Sequence, residues 1–211
     1  MTKFLTIGLP SKIIAVGLNY TDHAKELNMK LPKEPLIFMK PSTSVIRHLE
    51  KIVYPKGVKR LDYEAELAIV IKKEAHNITV EKAAEHILGY TCLNDVTARD
   101  LQKKDSQWTR SKSFDTFCPV GPHVAVGIDS ANLKIELFLN KELKQSSNTK
   151  NLIFGPKYLV SFISKICTLL SGDIIATGTP SGVGPMKIGD EVEVMIEGIG
   201  SLKNSVTGER T

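Results

Sequence analysis

Three acidic side chains and one histidine carry the most legible chemistry in this sequence. Glu64 and Glu66 stand two residues apart at the mouth of the run Leu61-Asp62-Tyr63-Glu64-Ala65-Glu66-Leu67-Ala68-Ile69-Val70-Ile71. On a strand, alternate residues face the same way, so the two carboxylates stand side by side while Ala65 and Leu67 face the opposite direction. Like charges at that separation repel unless a positive group neutralises them. Hard divalent ions such as Mg²⁺ and Mn²⁺ bind through oxygen and leave positions open for a substrate. A solvated strand edge is the commoner meaning of an isolated Glu-x-Glu. Asp95 ends a second apolar segment, Ile87 to Asn94, just ahead of a short helix, where it is placed either to give a third oxygen ligand or to cap that helix.

His23 and Glu26 lie one helical turn apart in Asn19-Tyr20-Thr21-Asp22-His23-Ala24-Lys25-Glu26-Leu27. There the carboxylate can orient the imidazole and make it a better general base toward water, although many helix surfaces carry such a pair without a role. Three carboxylates around a dication leave a net negative charge, so an anionic substrate needs basic groups nearby. Lys40, Arg99 and Lys112 are available, and Arg99 and Gln102 share one helix face. The glycine-rich segment Ala176 to Pro185 contains neither GxGxxG nor a Walker lysine, which argues against nucleotide binding. It reads as an ordinary turn, or as a tight loop that brings backbone amides and the Thr179 hydroxyl up to a ligand carboxylate.

The elements that must hold these groups are mostly strands. Ile- and Val-rich runs predict strands at Lys12 to Leu18, Leu36 to Met39, Ala65 to Ile71, Val120 to Val126, Leu133 to Leu139, Asp173 to Ala176 and Glu191 to Ile196. Helices are predicted from a Thr21 or Asp22 cap through Leu27, from a Thr79 cap over Val80 to Leu88, from a Thr97 cap through Lys103, and from Pro156 to near Gly172. Polar Lys141 to Asn151 reads as a hairpin loop. Strands outnumber helices without regular alternation, so the class is β-rich α+β with a mainly antiparallel or mixed sheet.

Composition narrows the function classes. With 211 residues, 42% hydrophobic and 24% charged, the chain suits one domain with a buried core. Its apolar runs are far shorter than the roughly 18 residues that a membrane span needs, and no leader pattern opens it, so the expectation is no membrane and a cytoplasmic location, with the mitochondrial matrix left open. The net charge of +5 comes from scattered basic residues, which suits a small anionic substrate rather than nucleic acid. Cys92, Cys118 and Cys167 are widely spaced and imply neither a disulfide frame nor a zinc site.

Eight segments in order make the pattern specific: Val16-Gly17-Leu18-Asn19-Tyr20, Phe38 to Thr43, Asp62 to Leu67, Asn94 to Asp100, Trp108 to Asp115, Cys118 to Pro122, Asn148-Thr149 and Gly172 to Gly184. Together they cover nearly the whole chain, which resembles the fumarylacetoacetate hydrolase family and most closely its short, single-domain, acylpyruvase-like members. The resemblance implies one catalytic domain over residues 1–211 with the mixed β-sandwich roll of that family's C-terminal domain, usually a homodimer. It implies Mg²⁺ or Mn²⁺ on Glu64, Glu66 and Asp95, a mobile lid carrying the His23/Glu26 dyad, and a catalytic Lys112. Lys40, Arg99, Gln102 and Thr179 fall where similar proteins border a small 2-oxo acid substrate. The implied activity is hydrolysis of a C–C bond in acylpyruvate-type 2,4-dioxo acids, with oxaloacetate decarboxylation or tautomerisation open to the same pocket. The alternatives are an isomerase or decarboxylase of 2-hydroxyhepta-2,4-diene-1,7-dioate-type intermediates and a non-catalytic metal- or anion-binding module. The chain departs from the family at Val45 to Tyr54, where many relatives carry a glycine-containing turn.

Overall fold

Residues Ala65–Ile71 form the strand around which the molecule is organised, and all of them are buried. The computed structural model describes residues 3–6 and 8–209. In chain order its strands are β1 (Lys3–Leu5), β2 (Ile13–Gly17), β3 (Leu36–Lys40), β4 (Val45–Ile46), β5 (Lys51–Tyr54), β6 (Leu61–Tyr63), β7 (Ala65–Ile71), β8 (Ile87–Asn94), β9 (Thr97–Ala98), β10 (Cys118–Val126), β11 (Lys134–Leu139), β12 (Glu142–Asn148), β13 (Ile174–Ala176), β14 (Gly184–Met186), β15 (Glu191–Ile196) and β16 (Gly200–Gly208). The helices are α1 (Thr21–Glu26), α2 (Arg99–Lys104), α3 (Thr109–Lys112) and α4 (Pro156–Ser164). Among the described residues, no helix is long and apolar enough to cross a membrane.

The large sheet runs β1-β10-β8-β7-β13-β2-β3, with β4 added on β10; a second sheet runs β12-β11-β15-β16-β5, and β14, β6 and β9 form a small third one. Most pairs are antiparallel, while β2 with β13, β4 with β10 and β5 with β16 are parallel. The expected β-rich, mixed architecture is therefore observed.

Two apolar clusters explain why β7 reads as a continuous hydrophobic run. Its odd-numbered residues, Leu67, Ile69 and Ile71, meet Ile135, Leu137, Val192, Val194 and Leu202 of the second sheet. Its even-numbered residues, Ala68 and Val70, join Ile13, Leu93, Val120 and Ile174 in the other cluster. That second cluster takes Phe38 from one end of the large sheet and Cys118, Val120 and Val124 from near the other, so the sheet curls around it. A strand covered on both faces loses the alternation of a solvated strand. Glu64 and Glu66 share the even face, at the rim where the apolar filling stops.

Four local expectations are corrected. Residues 80–88 do not form a helix. A 3-10 turn covers Ala83–His86, and Ile87 already pairs with Ile71 across the sheet. Residues 141–151 are mostly strand: β12 pairs with β11 across a turn in which Asn140 and Lys141 adopt φ of 52° and 69°. Helix α4 ends at Ser164, well before Gly172, because Leu169 leaves to bridge Ala75 by mutual backbone hydrogen bonds. Thr97 belongs to β9, which pairs with β6, and α2 begins only at Arg99. In the Val45 to Tyr54 departure, the turn survives without glycine, with Leu49 at φ 69°.

Candidate active site

The pairing of β7 with β8 places Asn94 opposite Ala65. Asp95, the next residue, therefore lands beside Glu64 and Glu66. Two bonds lock this corner: the Glu64 amide donates to Asn94 Oδ1 at 2.9 Å, and the Asp95 amide donates to the Glu64 carbonyl at 2.9 Å. All three carboxylates are buried, and each offers an oxygen within 4.8 Å of the other two. An all-oxygen set of this kind fits a hard divalent cation.

Cations surround the cluster on three sides. Lys112 on α3 reaches Glu64 Oε2 at 2.8 Å and Asp95 Oδ2 at 2.6 Å, and its ammonium lies 5.1 Å from the centre of the Phe38 ring. Lys40, at the end of β3, donates to Asp95 Oδ1 at 2.6 Å and to the Val96 carbonyl at 3.3 Å. Arg99 donates from Nη2 to Glu64 Oε1, from Nη1 to Gln102 Oε1 at 2.6 Å, and from Nε to the fully buried Asp62 at 2.8 Å.

Among the described residues no cationic side chain bonds Glu66; its hydrogen bond comes from the Gly178 amide at 2.7 Å. The proton affinities diverge accordingly. Burial raises the Glu66 pKa well above the usual carboxylate range, and the charges of Asp95 and Glu64 push it the same way, against the pull of Lys112 and the Gly178 amide. Burial would raise Glu64 as well, but Lys112 and Arg99 outweigh it and hold that carboxyl at about 2. Burial opposes the charged form of Lys112, yet Asp95 and Glu64 keep its ammonium above the ordinary lysine value. Lys112 is therefore a proton donor here, and not a free amine.

The cluster opens into a cavity of about 360 Å³ whose wall includes Glu64, Glu66, Asp95, Lys112, Arg99, Gln102, Thr179 and His23. Helix α1 delivers His23. At six residues it is too short to persist by itself, and its side chains tie it down. Asp22 accepts from Ser147 Oγ, and Glu26 uses Oε2 for His23 Nδ1 at 2.9 Å and Oε1 for the Gly182 amide at 3.0 Å. Just before the helix, Asn19 bonds the Phe154 amide and the carbonyls of Phe154 and Thr177. With Nδ1 donating to Glu26, Nε2 is left as the imidazole's acceptor. Beyond the polar groups the wall turns apolar, with Leu27, Met29, Leu36, Phe38 and Trp108.

Of the ten residues singled out from sequence, eight line the cavity; Glu26 acts through His23, and Lys40 stands apart. Fully buried behind Asp95, Lys40 is absent from the wall and braces a carboxylate. The Val45 to Tyr54 departure also lies outside the wall. Sequence reading did not single out Asp62, which aligns Arg99, or Trp108, which packs edge-on against Phe38 at 5.2 Å. It also passed over Gln145, which bonds Thr179 at 2.9 Å. Asp62 had a usable signal, its position in the same alternating run as Glu64 and Glu66. Gln145 had none, because its strand reads as a loop.

Known proteins resemble this chain along most of its length. A protein of Methanocaldococcus jannaschii is 60% identical over 200 residues, covering 95% of this chain and 84% of its own length. The oxaloacetate tautomerase Fahd2a of Rattus norvegicus mitochondria is 42% identical, over 98% of this chain and 69% of its own. Among solved structures, 5-carboxymethyl-2-hydroxymuconate delta-isomerase from Mycobacterium smegmatis superposes with a TM-score of 0.92 at 44% identity, covering 99% of this chain and 82% of its own. Residues 12–207 match the family described as fumarylacetoacetate (FAA) hydrolase C-terminal, and on that match, this fold and these relatives the chain belongs to the fumarylacetoacetate hydrolase family.

Proposed function

We propose that the chain is a divalent-metal-dependent enzyme of 2-oxo acids that hydrolyses the C3–C4 bond of acylpyruvate-type 2,4-dioxo acids. The single observation that carries this reading is a cavity that is anionic and cation-braced at one end, apolar at the other, and faced by a histidine base. Glu64, Glu66 and Asp95 would hold Mg²⁺ or Mn²⁺, which when bound supplies Lewis-acid polarisation of the oxygens of a 2-oxo acid.

The chain's own residues would do the rest. Arg99, Gln102 and Thr179 hold the substrate carboxylate, and the apolar wall around Leu27, Leu36 and Trp108 takes the acyl group. His23, oriented by Glu26 through Nδ1, removes a proton from water at Nε2. The resulting hydroxide adds to C4, and Lys112 donates to the oxyanion formed there. The C3–C4 bond then breaks, its electron pair passes to C3, and C3 takes the proton that His23 holds. One water is consumed, and a carboxylic acid and pyruvate leave.

The relatives support a second reading. A tautomerase or isomerase needs His23 only to carry a proton to and from C3, without water, and the same pocket would serve oxaloacetate. We also propose a homodimer, since Phe4 and Met195, 53% and 39% exposed, line a shared apolar groove away from the active site; a monomeric mass by light scattering would refute it. The deciding experiment for function follows enol absorbance and pyruvate release together, for acetylpyruvate, fumarylpyruvate and oxaloacetate with Mg²⁺ or Mn²⁺. Stoichiometric pyruvate from the first two supports the hydrolase. Enol–keto exchange without pyruvate replaces it with the second reading, and inertness toward all three refutes both.

A further inference from the structure

Strand β12 lies on the edge of the second sheet, and its seven residues include one that is fully buried, Gln145. A carboxamide buried on an otherwise partly or fully exposed edge strand needs partners for all of its hydrogen-bonding groups. Oε1 accepts the Ala65 amide at 2.9 Å, while Nε2 donates to Thr179 Oγ1 at 2.9 Å and to the Pro180 carbonyl at 2.9 Å. The orientation of the amide is fixed by its partners, because a backbone N–H can only donate and a carbonyl can only accept.

Two consequences follow at the active site. Ala65 is the residue between Glu64 and Glu66, so Gln145 pins the backbone that carries both carboxylates. Thr179 lines the cavity, and its oxygen already accepts from Gln145. The hydroxyl hydrogen is thereby turned away from Gln145 and left to donate. The loop is also seated closely on this strand: Gly182 has φ +92°, and a Cβ there would meet the Lys144 carbonyl oxygen at 2.4 Å.

We propose that Gln145 is a positioning residue for substrate binding: one carboxamide holds the Thr179 hydroxyl as a donor toward the substrate carboxylate and fixes it relative to Glu64 and Glu66, which flank Ala65. The inference rests on the 2-oxo acid site proposed above. It differs from a purely structural role for Gln145 in requiring that the effect on ligand binding pass through Thr179.

The test is a double-mutant cycle on oxalate binding, measured by calorimetry at saturating Mn²⁺, with oxalate standing in for the adjacent carboxylate and 2-oxo oxygens of the substrate. Losing a hydrogen bond to a charged ligand corresponds to about a tenfold to hundredfold loss of affinity. Gln145→Met and Thr179→Val are each expected to weaken oxalate within that range, and the double variant no further than the weaker single one. Multiplicative losses in the double variant, or wild-type affinity in Gln145→Met, overturn the proposal. If Gln145→Met fails to fold, Gln145→Asn, one methylene too short to reach Ala65 and Thr179 together, takes its place with the same two outcomes. Failure of the functional reading looks different: a Mn²⁺-loaded wild type that does not bind oxalate at all removes the 2-oxo acid site itself.

Discussion

Among the described residues no side-chain cation bonds Glu66, and this fixes how metal binding must respond to pH. Lys112 bonds Glu64 and Asp95, Lys40 bonds Asp95 and Arg99 bonds Glu64, whereas Glu66 has one backbone amide. Burial and its two anionic neighbours therefore keep a proton on Glu66 well above the ordinary carboxylate range. A divalent ion entering the cluster must displace that proton. Affinity for Mn²⁺ then rises about tenfold per pH unit, or about 1.4 kcal/mol, from the ordinary carboxylate range up to the Glu66 pKa, and levels off above it. The metal-free protein should move the opposite way. Its folded state binds one more proton than the unfolded chain in that window, so its stability falls as pH rises. Calorimetric Mn²⁺ titrations and thermal melts in chelator read the two trends separately. In Glu66→Gln the slope of affinity against pH should vanish and binding at high pH should be weaker than wild type. A pH-independent affinity in the wild-type protein, or an unchanged slope in the variant, would refute the reasoning.

Three further outcomes are expected. His23→Ala should lose about 10²–10⁴-fold in kcat while its Mn²⁺ titration stays at wild-type affinity, because the imidazole bonds Glu26 and none of the three carboxylates. Asp173, whose carboxyl is held below its usual pKa against burial by Lys12, Ser11 and the Leu170 amide, stabilises the fold above the unfolded pKa and loses that contribution as pH falls. Asp173→Asn should therefore cost about 2 kcal/mol at neutral pH, with the gap in melting temperature from wild type closing below about pH 4. Gly89→Ala would set a Cβ 2.3 Å from the Ala125 carbonyl oxygen, and denaturant unfolding should report a loss of about 1–3 kcal/mol as β8 and β10 are forced apart.

What could be read from sequence was whatever depended on near neighbours. Glu64 with Glu66, and His23 with Glu26, are set by strand and helix spacing alone, and the structure keeps both relationships. Asp95 needed a strand end, which its apolar run supplied. The bond between Lys40 and Asp95 was not legible, because nothing local says on which side of Asp95 a lysine from β3 arrives. Strand β16 was passed over for a similar reason: an inward position of its alternation is Asn204, a buried amide that donates to the Arg47 and Glu50 carbonyls. The helix expected over residues 80–88 lost to sheet pairing, where tertiary hydrogen bonds outweigh a weak local preference.

Strand β7 is enclosed on both faces, and of the three clustered carboxylates Glu66 sits on its second residue, with Glu64 just before its start. Amide hydrogens there have no route to solvent short of separating the two layers, so deuterium should enter this strand last. The carboxylate corner would then persist until global melting, and the clock for losing it would be the clock for losing the fold.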